Sequence, residues 1–224
     1  MAILETRNLK KYYRMGKETV HALDGANLKV DKGEFISILG PSGSGKTTLL
    51  NMIGCLDRPS EGQVLLDEED VTRFSGVKLT EIRSQKIGFV FQEFDLIPTL
   101  TALENVMLPL KYQGVSRGDR KRRAREALEK VGLEKRLRHR PAQLSGGEQQ
   151  RVAVARALVT QPEIILADEP TGELDTQTGE QLIRMLRKLN QETKQTFIFV
   201  THDLALAEAT DRQIRISDGK ILTE

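Results

Sequence analysis

The stretch Gly40-Pro-Ser-Gly-Ser-Gly-Lys-Thr-Thr48 sits between Glu34-Phe-Ile-Ser-Ile-Leu39 and Leu49-Leu-Asn-Met-Ile53. Gly40, Gly45, Lys46 and Thr47 fill the fixed positions of G-x-x-x-x-G-K-[ST], and Pro41, Ser42, Gly43, Ser44 and Thr48 complete the loop. The run before it is short, apolar and rich in β-branched and aromatic residues, as a buried strand is. The run after it is good helix material. Glycines in such a loop let successive backbone N–H groups face the oxygens of a phosphate chain. A helix beginning near Gly45 adds its positive end. Lys46 offers a full charge to the β- and γ-phosphates, and the Thr47 hydroxyl is placed to ligate Mg²⁺. The stretch therefore implies a nucleoside-triphosphate site.

With 224 residues the chain is long enough for a sizeable core, and its length suggests one domain with room for an inserted lobe. Lys and Arg number 34 against 32 Asp and Glu, so no global field recruits nucleic acid or an anionic membrane. The single cysteine, Cys55, excludes an internal disulfide and fits a reducing compartment. It is expected on the helix after the loop, as a packed thiol. The apolar runs at 35–39, 164–167 and 197–200 are far shorter than the roughly 18 residues that span a bilayer. The start, Met1-Ala-Ile-Leu-Glu5, has neither the basic nor the long apolar region of a signal peptide. A soluble, cytosolic protein is expected, with any membrane role passing through a partner.

Residues 2–38 read as strands and turns, with extended patterns at Ile3–Arg7 and Ala22–Val30 broken at Met15-Gly-Lys17 and Asp31-Lys-Gly33. Gln63–Leu66 and Lys86–Phe91 read as further strands, the second ending at Gln92. From about Thr99 to Ala157 the pattern turns helical. Ser116-Arg-Gly-Asp119 has capping-box spacing, and Ala124, Ala127, Leu128 and Val131 form one apolar face. The opposite face carries Arg120, Lys121, Arg122, Arg123 and Arg125, a solvated face rather than a nucleic-acid contact because few aromatics accompany it. After Glu163, strands at 164–167, 196–200 and 213–216 alternate with helices at 176–190 and 203–209, which predicts a mostly parallel sheet covered by helices. The chain thus reads as one α/β unit. Residues 1–92 and 158–224 would form the nucleotide core with an N-terminal antiparallel β-lobe, and 93–157 an inserted helical lobe.

Ile164-Ile-Leu-Ala-Asp168-Glu169 ends an apolar strand on two adjacent carboxylates, where parallel α/β sheets place ligands. Asp168 suits Mg²⁺ beside the Thr47 hydroxyl. Glu169 is then the candidate general base for an attacking water. Leu144-Ser-Gly-Gly-Glu-Gln149 opens a helix expected over 150–160, with Ser145 as a good N-cap type and Gly146 and Gly147 baring the backbone at its positive end. A chain with one triphosphate site has no evident use for a second anion site, so this one is best explained as meeting phosphates bound by another copy.

Together these motifs resemble the nucleotide-binding domain of an ATP-binding cassette (ABC) transporter, from about Ile3 to Leu222. The resemblance implies a P-loop α/β core, with the following roles. Gly40 to Thr48 is the Walker A loop. Gln92 senses Mg²⁺ and the γ-phosphate. Leu144 to Gln149, with Ser145, Gly146, Gly147 and Glu148, is the signature motif. Asp168 and Glu169 are the Walker B pair, Asp175 the D-loop aspartate and His202 the switch histidine. Tyr13 falls where the family stacks an aromatic on adenine, with Tyr12 as the alternative. Tyr13–Gly16, Ile53–Asp57, Phe94–Pro98, Thr101–Asn105 and Ala167–Gly172 resemble the branch of macrolide exporters, lipoprotein-release ATPases, peptide-resistance transporters and the cell-division ATPase. Glu173 departs from it, since Ala or Asn is commoner there.

The resemblance further implies a head-to-tail homodimer with two ATPs between Walker A of one copy and the signature of the other. Hydrolysis with Mg²⁺ reopens that dimer and drives an integral membrane permease through a groove near Gln92–Glu104, on the inner face of the cell membrane. The cassette itself touches neither the cargo nor nucleic acid. Cargo of lipoprotein, macrolide or peptide type is expected. The alternative is a division-type engine that transmits force and moves no substrate; a soluble ABC ATPase acting on DNA or the ribosome would carry coiled coils or tandem cassettes.

Overall fold

The computed structural model describes residues 1–16 and 18–222, so the turn expected at Met15–Lys17 lies partly outside the described residues. Two sheets share one core. The first is antiparallel, in the order β2-β1-β4-β5, with β1 Ala2–Met15, β2 Glu18–Asp31, β4 Glu61–Leu66 and β5 Glu69–Asp70. The second has the order β10-β9-β3-β8-β7-β6, with β3 Phe35–Leu39, β6 Ile87–Val90, β7 Ile164–Asp168, β8 Thr196–Thr201, β9 Arg212–Ser217 and β10 Lys220–Leu222. Its neighbours are parallel except β10, which pairs antiparallel with β9. The helices are α1 Lys46–Ile53, α2 Gly76–Lys86, α3 Ala102–Tyr112, α4 Arg117–Lys130, α5 Gly146–Leu158, α6 Thr176–Thr193 and α7 Leu204–Glu208.

The strands of the second sheet are apolar throughout because both faces are covered. All six residues of β8 are buried. Ile198 and Val200 join Ile36, Ile38, Ile164 and Leu166 on the face toward α1 and the antiparallel sheet. Phe197 and Phe199 join Phe35, Ile165 and Ala167 on the face toward α3 to α6, where Phe35 meets Phe199 edge-on at 4.7 Å. Parallel direction then brings the ends of β3, β6, β7 and β8 to one edge. Gly40, Glu169 and His202 follow β3, β7 and β8 directly, and Gln92 follows β6 after Phe91.

Several elements differ from the reading of the sequence. Helix α1 stops at Ile53 with Gly54 as C-cap, so Cys55 lies beyond the helix, with φ of 56°. It is a packed thiol, and burial pushes its pKa up to about 11. Helix α5 begins at Gly146, four residues before the expected start, because Ser145 caps it. Helix α2 has no counterpart in the sequence reading: among its eleven residues only Leu79 and Ile82 are buried apolar side chains, too few to print a period. Strands β1 and β2 pair from Ala2 with Asp31 out to Met15 with Glu18, well beyond their apolar parts. The basic face of α4 is mostly exposed, with Arg122 paired to Asp119 and Glu126, while Arg123 turns inward and donates to the Val159 carbonyl at 3.0 Å.

Candidate functional site

At the carboxyl edge of the parallel sheet lies a cavity of about 660 Å³, and its walls include Lys46, Thr47, Gln92, Asp168, Glu169 and His202. Ser42, Gly43, Gly45 and Thr48 form its floor, and Val20, His21 and Ala22 reach it from β2. These last three carry no motif and were not legible in the sequence; only the pairing of β2 with β1 delivers them.

The loop below the cavity is held by close backbone approach. Gly45 has φ of 101°, and a Cβ there would stand 2.4 Å from the Ala22 carbonyl oxygen. A Cβ on Gly40 would stand 2.4 Å from the Ile216 carbonyl oxygen and 2.5 Å from Ser44 Oγ. Ser44 Oγ is itself buried without a partner, and the Ser44 amide donates to the Pro41 carbonyl at 3.2 Å. Lys46 Nζ donates to the carbonyls of Gly40 at 2.8 Å and Pro41 at 2.9 Å. Helix α1 starts with no side-chain cap and no acid in its first turn, whereas α2 to α7 are capped by Ser75, Thr101, Ser116, Ser145, Asp175 and Asp203. Its first N–H groups are thus left for an anion.

Across the cavity, burial and the neighbouring Glu169 charge raise the Asp168 carboxyl above the ordinary value, opposed by the Thr47 hydroxyl beside it and by the Lys46 charge. Glu169 follows with φ of 47°, a left-handed conformation that is uncommon for a residue with a side chain. Its amide still donates to the Val200 carbonyl at 2.9 Å, and its carbonyl accepts from the Gly172 amide at 3.0 Å. Its Oε2 lies 2.5 Å from His202 Nδ1. Thr171 Oγ1 donates to Asp203 Oδ2 at 2.9 Å, tying the turn after Glu169 to the residue after His202. Asp203 also caps α7 through Oδ1. Neither Thr171 nor Asp203 was singled out from sequence, although Asp203 has the N-cap residue type that could have drawn notice.

Other candidates lie elsewhere. Tyr13 pairs with Val20, and its hydroxyl donates to Asp57 Oδ2 at 3.0 Å and lies beside Thr48. Tyr12 instead packs on His21, ring centroids 4.5 Å apart. None of Ser145, Gly146, Gly147 and Glu148 borders the cavity of their own chain. Ser145 Oγ accepts from the Glu148 amide at 3.2 Å, and Glu148 Oε2 accepts from the Ser145 amide at 3.0 Å. Gly147 packs against α6, since a Cβ there would stand 2.3 Å from Thr178 Cγ2. Asp175 caps α6, accepting from the Thr178 amide at 3.0 Å and its hydroxyl at 2.6 Å. So Gly147 and Asp175 each have a packing or capping reason within the single chain.

Comparison with known proteins decides the family. A family model described as ABC transporter matches residues 23–172. This chain belongs to the ABC transporter family. It is the ATP-binding, ATP-hydrolysing cassette of such a transporter. The cassette is 53% identical over 226 residues to the uncharacterized ABC transporter ATP-binding protein MJ0796 of Methanocaldococcus jannaschii, covering 99% of this chain and 96% of that protein. A solved dimeric structure of MJ0796, in a post-hydrolysis state bound to ADP and Pi, matches with a TM-score of 0.90 and 50% identity, over 98% of this chain and 97% of that one. The lipoprotein-releasing system ATP-binding protein LolD of Syntrophotalea carbinolica is 47% identical over 98% of the cassette and 97% of its own length. The macrolide export ATP-binding/permease protein MacB of Syntrophobacter fumaroxidans is 47% identical over the whole cassette, which spans 32% of that protein. No described helix of the cassette is long and apolar enough to cross a membrane.

Proposed function

We propose that two copies of this cassette close head to tail around two ATP molecules, and that their closing and opening drive a membrane permease on its cytoplasmic side. The observation that carries this reading is the split between the two helix starts. The uncapped start of α1 borders the cavity, while the Ser145–Glu148 start of α5 does not border the cavity of its own chain. A second copy brings such a helix start to the open side of the cavity. The MJ0796 cassette was solved as a dimer, which supports the same arrangement here.

In this reading the α1 amides and Lys46 bind the phosphates, and Lys46 leaves its two loop carbonyls to do so. Thr47, Asp168 and Gln92 are the residues that would hold Mg²⁺. The hydroxyl of Thr47 against the Asp168 carboxyl offers two adjacent hard oxygens of the kind this ion takes alongside phosphate oxygens. When bound, the ion draws charge from the phosphate oxygens and lowers the barrier to displacement. Glu169 accepts the proton of the attacking water, and His202, on its carboxylate, faces the γ-phosphate. Tyr13, beside Thr48, stacks on adenine. Asp175 reaches the partner copy from the start of α6. The relatives LolD and MacB support a lipoprotein or a macrolide as cargo, with a peptide the further member of the expected class, and the permease rather than the cassette contacts it.

Glu169→Gln tests the reading. It keeps the side chain's shape but accepts no proton, so turnover falls by about 10²–10⁴. It also removes negative charge beside the γ-phosphate, so light scattering after gel filtration finds a monomer without nucleotide and a lasting dimer with ATP. Adding Ser145→Arg abolishes that dimer. A variant that stays monomeric at millimolar ATP would count against the sandwich.

A further inference from the structure

Residue 173 is the one position at which the site region departs from its resemblance, and the structure gives it a contact. Gln92 Nε2 donates to Glu173 Oε1 at 3.0 Å. The rest of the Gln92 side chain lies across the backbone just before: a Cβ on Gly172 would meet Gln92 Nε2 at 3.1 Å and its Cγ and Cδ at 3.2 Å. The turn that builds this seat starts at Glu169, whose carbonyl accepts the Gly172 amide. Gln92 and Glu169 border the same cavity.

A carboxylate only accepts hydrogen bonds, while a carboxamide has a donating and an accepting end. Glu173 can therefore bond Nε2 of Gln92 but not Oε1. An alanine would leave the amide free to turn over, and an asparagine could bond either end. We propose that Glu173 is a positioning residue for Gln92, fixing its carboxamide so that Oε1, the end a divalent cation requires, is the one left free. This inference rests on the reading of Gln92 as a residue that holds nucleotide-bound Mg²⁺. Glu173 touches neither nucleotide nor cation in this role; it acts through Gln92 alone.

The test uses the full chain and two measurements. Side-chain ¹⁵N–¹H spectra of the nucleotide-free protein identify the Gln92 amide pair by its loss in Gln92→Ala. Calorimetry compares the affinity for AMP-PNP in Mg²⁺ with that in EDTA. Glu173→Ala shifts the Gln92 pair and shrinks the Mg²⁺-dependent gain about two- to ten-fold, the range for leaving one long side chain to be ordered on binding. Glu173→Lys, whose ammonium can only donate, turns the amide over and shrinks the gain at least as much. In the Gln92→Ala background, Glu173→Ala adds nothing. The inference is overturned by an unmoved Gln92 pair, by a full gain in Glu173→Ala where Gln92→Ala loses it, or by an equal further loss once Gln92 is gone. A full gain in Gln92→Ala itself would instead overturn the reading of Gln92 on which the inference stands.

Discussion

Asp168 is a carboxylate kept where burial works against its charge, with Thr47 and Lys46 only partly compensating. Its pKa in the folded state is raised, so the folded chain binds that proton more tightly than the unfolded chain does. The stability this contributes is full below the ordinary value of 3.8 and is lost as pH rises through the raised folded value. At neutral pH the ionised group is a net cost to the nucleotide-free fold. Asp168→Asn should therefore raise the melting temperature without nucleotide at pH 7 while ATP turnover collapses; a lowered melting temperature would mean the Thr47 hydroxyl and the Lys46 charge together outweigh desolvation. Lys46→Ala removes the one full positive charge of the loop and leaves its amides. Nucleotide affinity should weaken and turnover nearly vanish, whereas wild-type turnover would refute the loop's assignment. The residue types behind both expectations stand in the sequence, but the burial that sets the sign for Asp168 does not.

At the level of elements, helix starts divide the structural from the ligand-facing. Ser145 and Glu148 satisfy each other's amides, and Arg136 Nε holds Glu148 Oε1 at 2.7 Å. Ser145→Ala should cost about 1 kcal/mol in urea unfolding of the isolated chain, the usual worth of such a cap. Unchanged stability would mean the α5 start is held by packing against α6 alone. The pattern at Ser116–Asp119 is related but shorter. Asp119 Oδ2 reaches the Ser116 hydroxyl at 2.8 Å, one methylene too short to cap the backbone as Glu148 does. Such signals were legible because capping is a local matter of three residues. Helix α2, with its two buried apolar residues, was not, since neighbours rather than its own period keep it in place.

Over the whole molecule, an apolar groove opens beside the stretch Gln92–Glu104 rather than within it. Leu96 packs with the buried core, Phe94 is half-buried and Ile97 and Pro98 stay exposed. Asn105 pins the loop, taking the Ile97 amide at 2.8 Å and donating to the carbonyls of Ile97, Leu100 and Thr101. Arg156 of α5 donates to the carbonyls of Phe94 and Asp95. Beside this loop opens a groove of about 360 Å³ lined by Phe89, Phe91, Leu108, Pro109 and Tyr112, which shares only Asp95 with Gln92–Glu104. Tyr112 is 80% exposed, much for an aromatic. If the permease seats here, Tyr112→Glu should leave the basal ATPase rate of the isolated cassette unchanged and abolish co-purification with the permease. Intact co-purification would move the docking surface elsewhere.

What the sequence determined by itself was the chemistry and its order. A phosphate loop, a strand ending on two acids, a glycine-flanked helix start and a histidine after a strand are each written in adjacent residues, so local rules suffice to read them. What only the tertiary structure decided is which of these share a wall. Parallel pairing of β3, β6, β7 and β8 gathers Lys46, Gln92, Asp168, Glu169 and His202 from positions far apart in the chain. The same packing leaves the Ser145 helix start outside that cavity, turns Tyr13 toward Thr48, and sets Glu173 on the amide of Gln92. The reason is range: a motif is specified over a few residues, whereas burial, amide orientation and the division between one copy and two depend on contacts across 80 residues or more, such as Gln92 with Glu173 at a separation of 81.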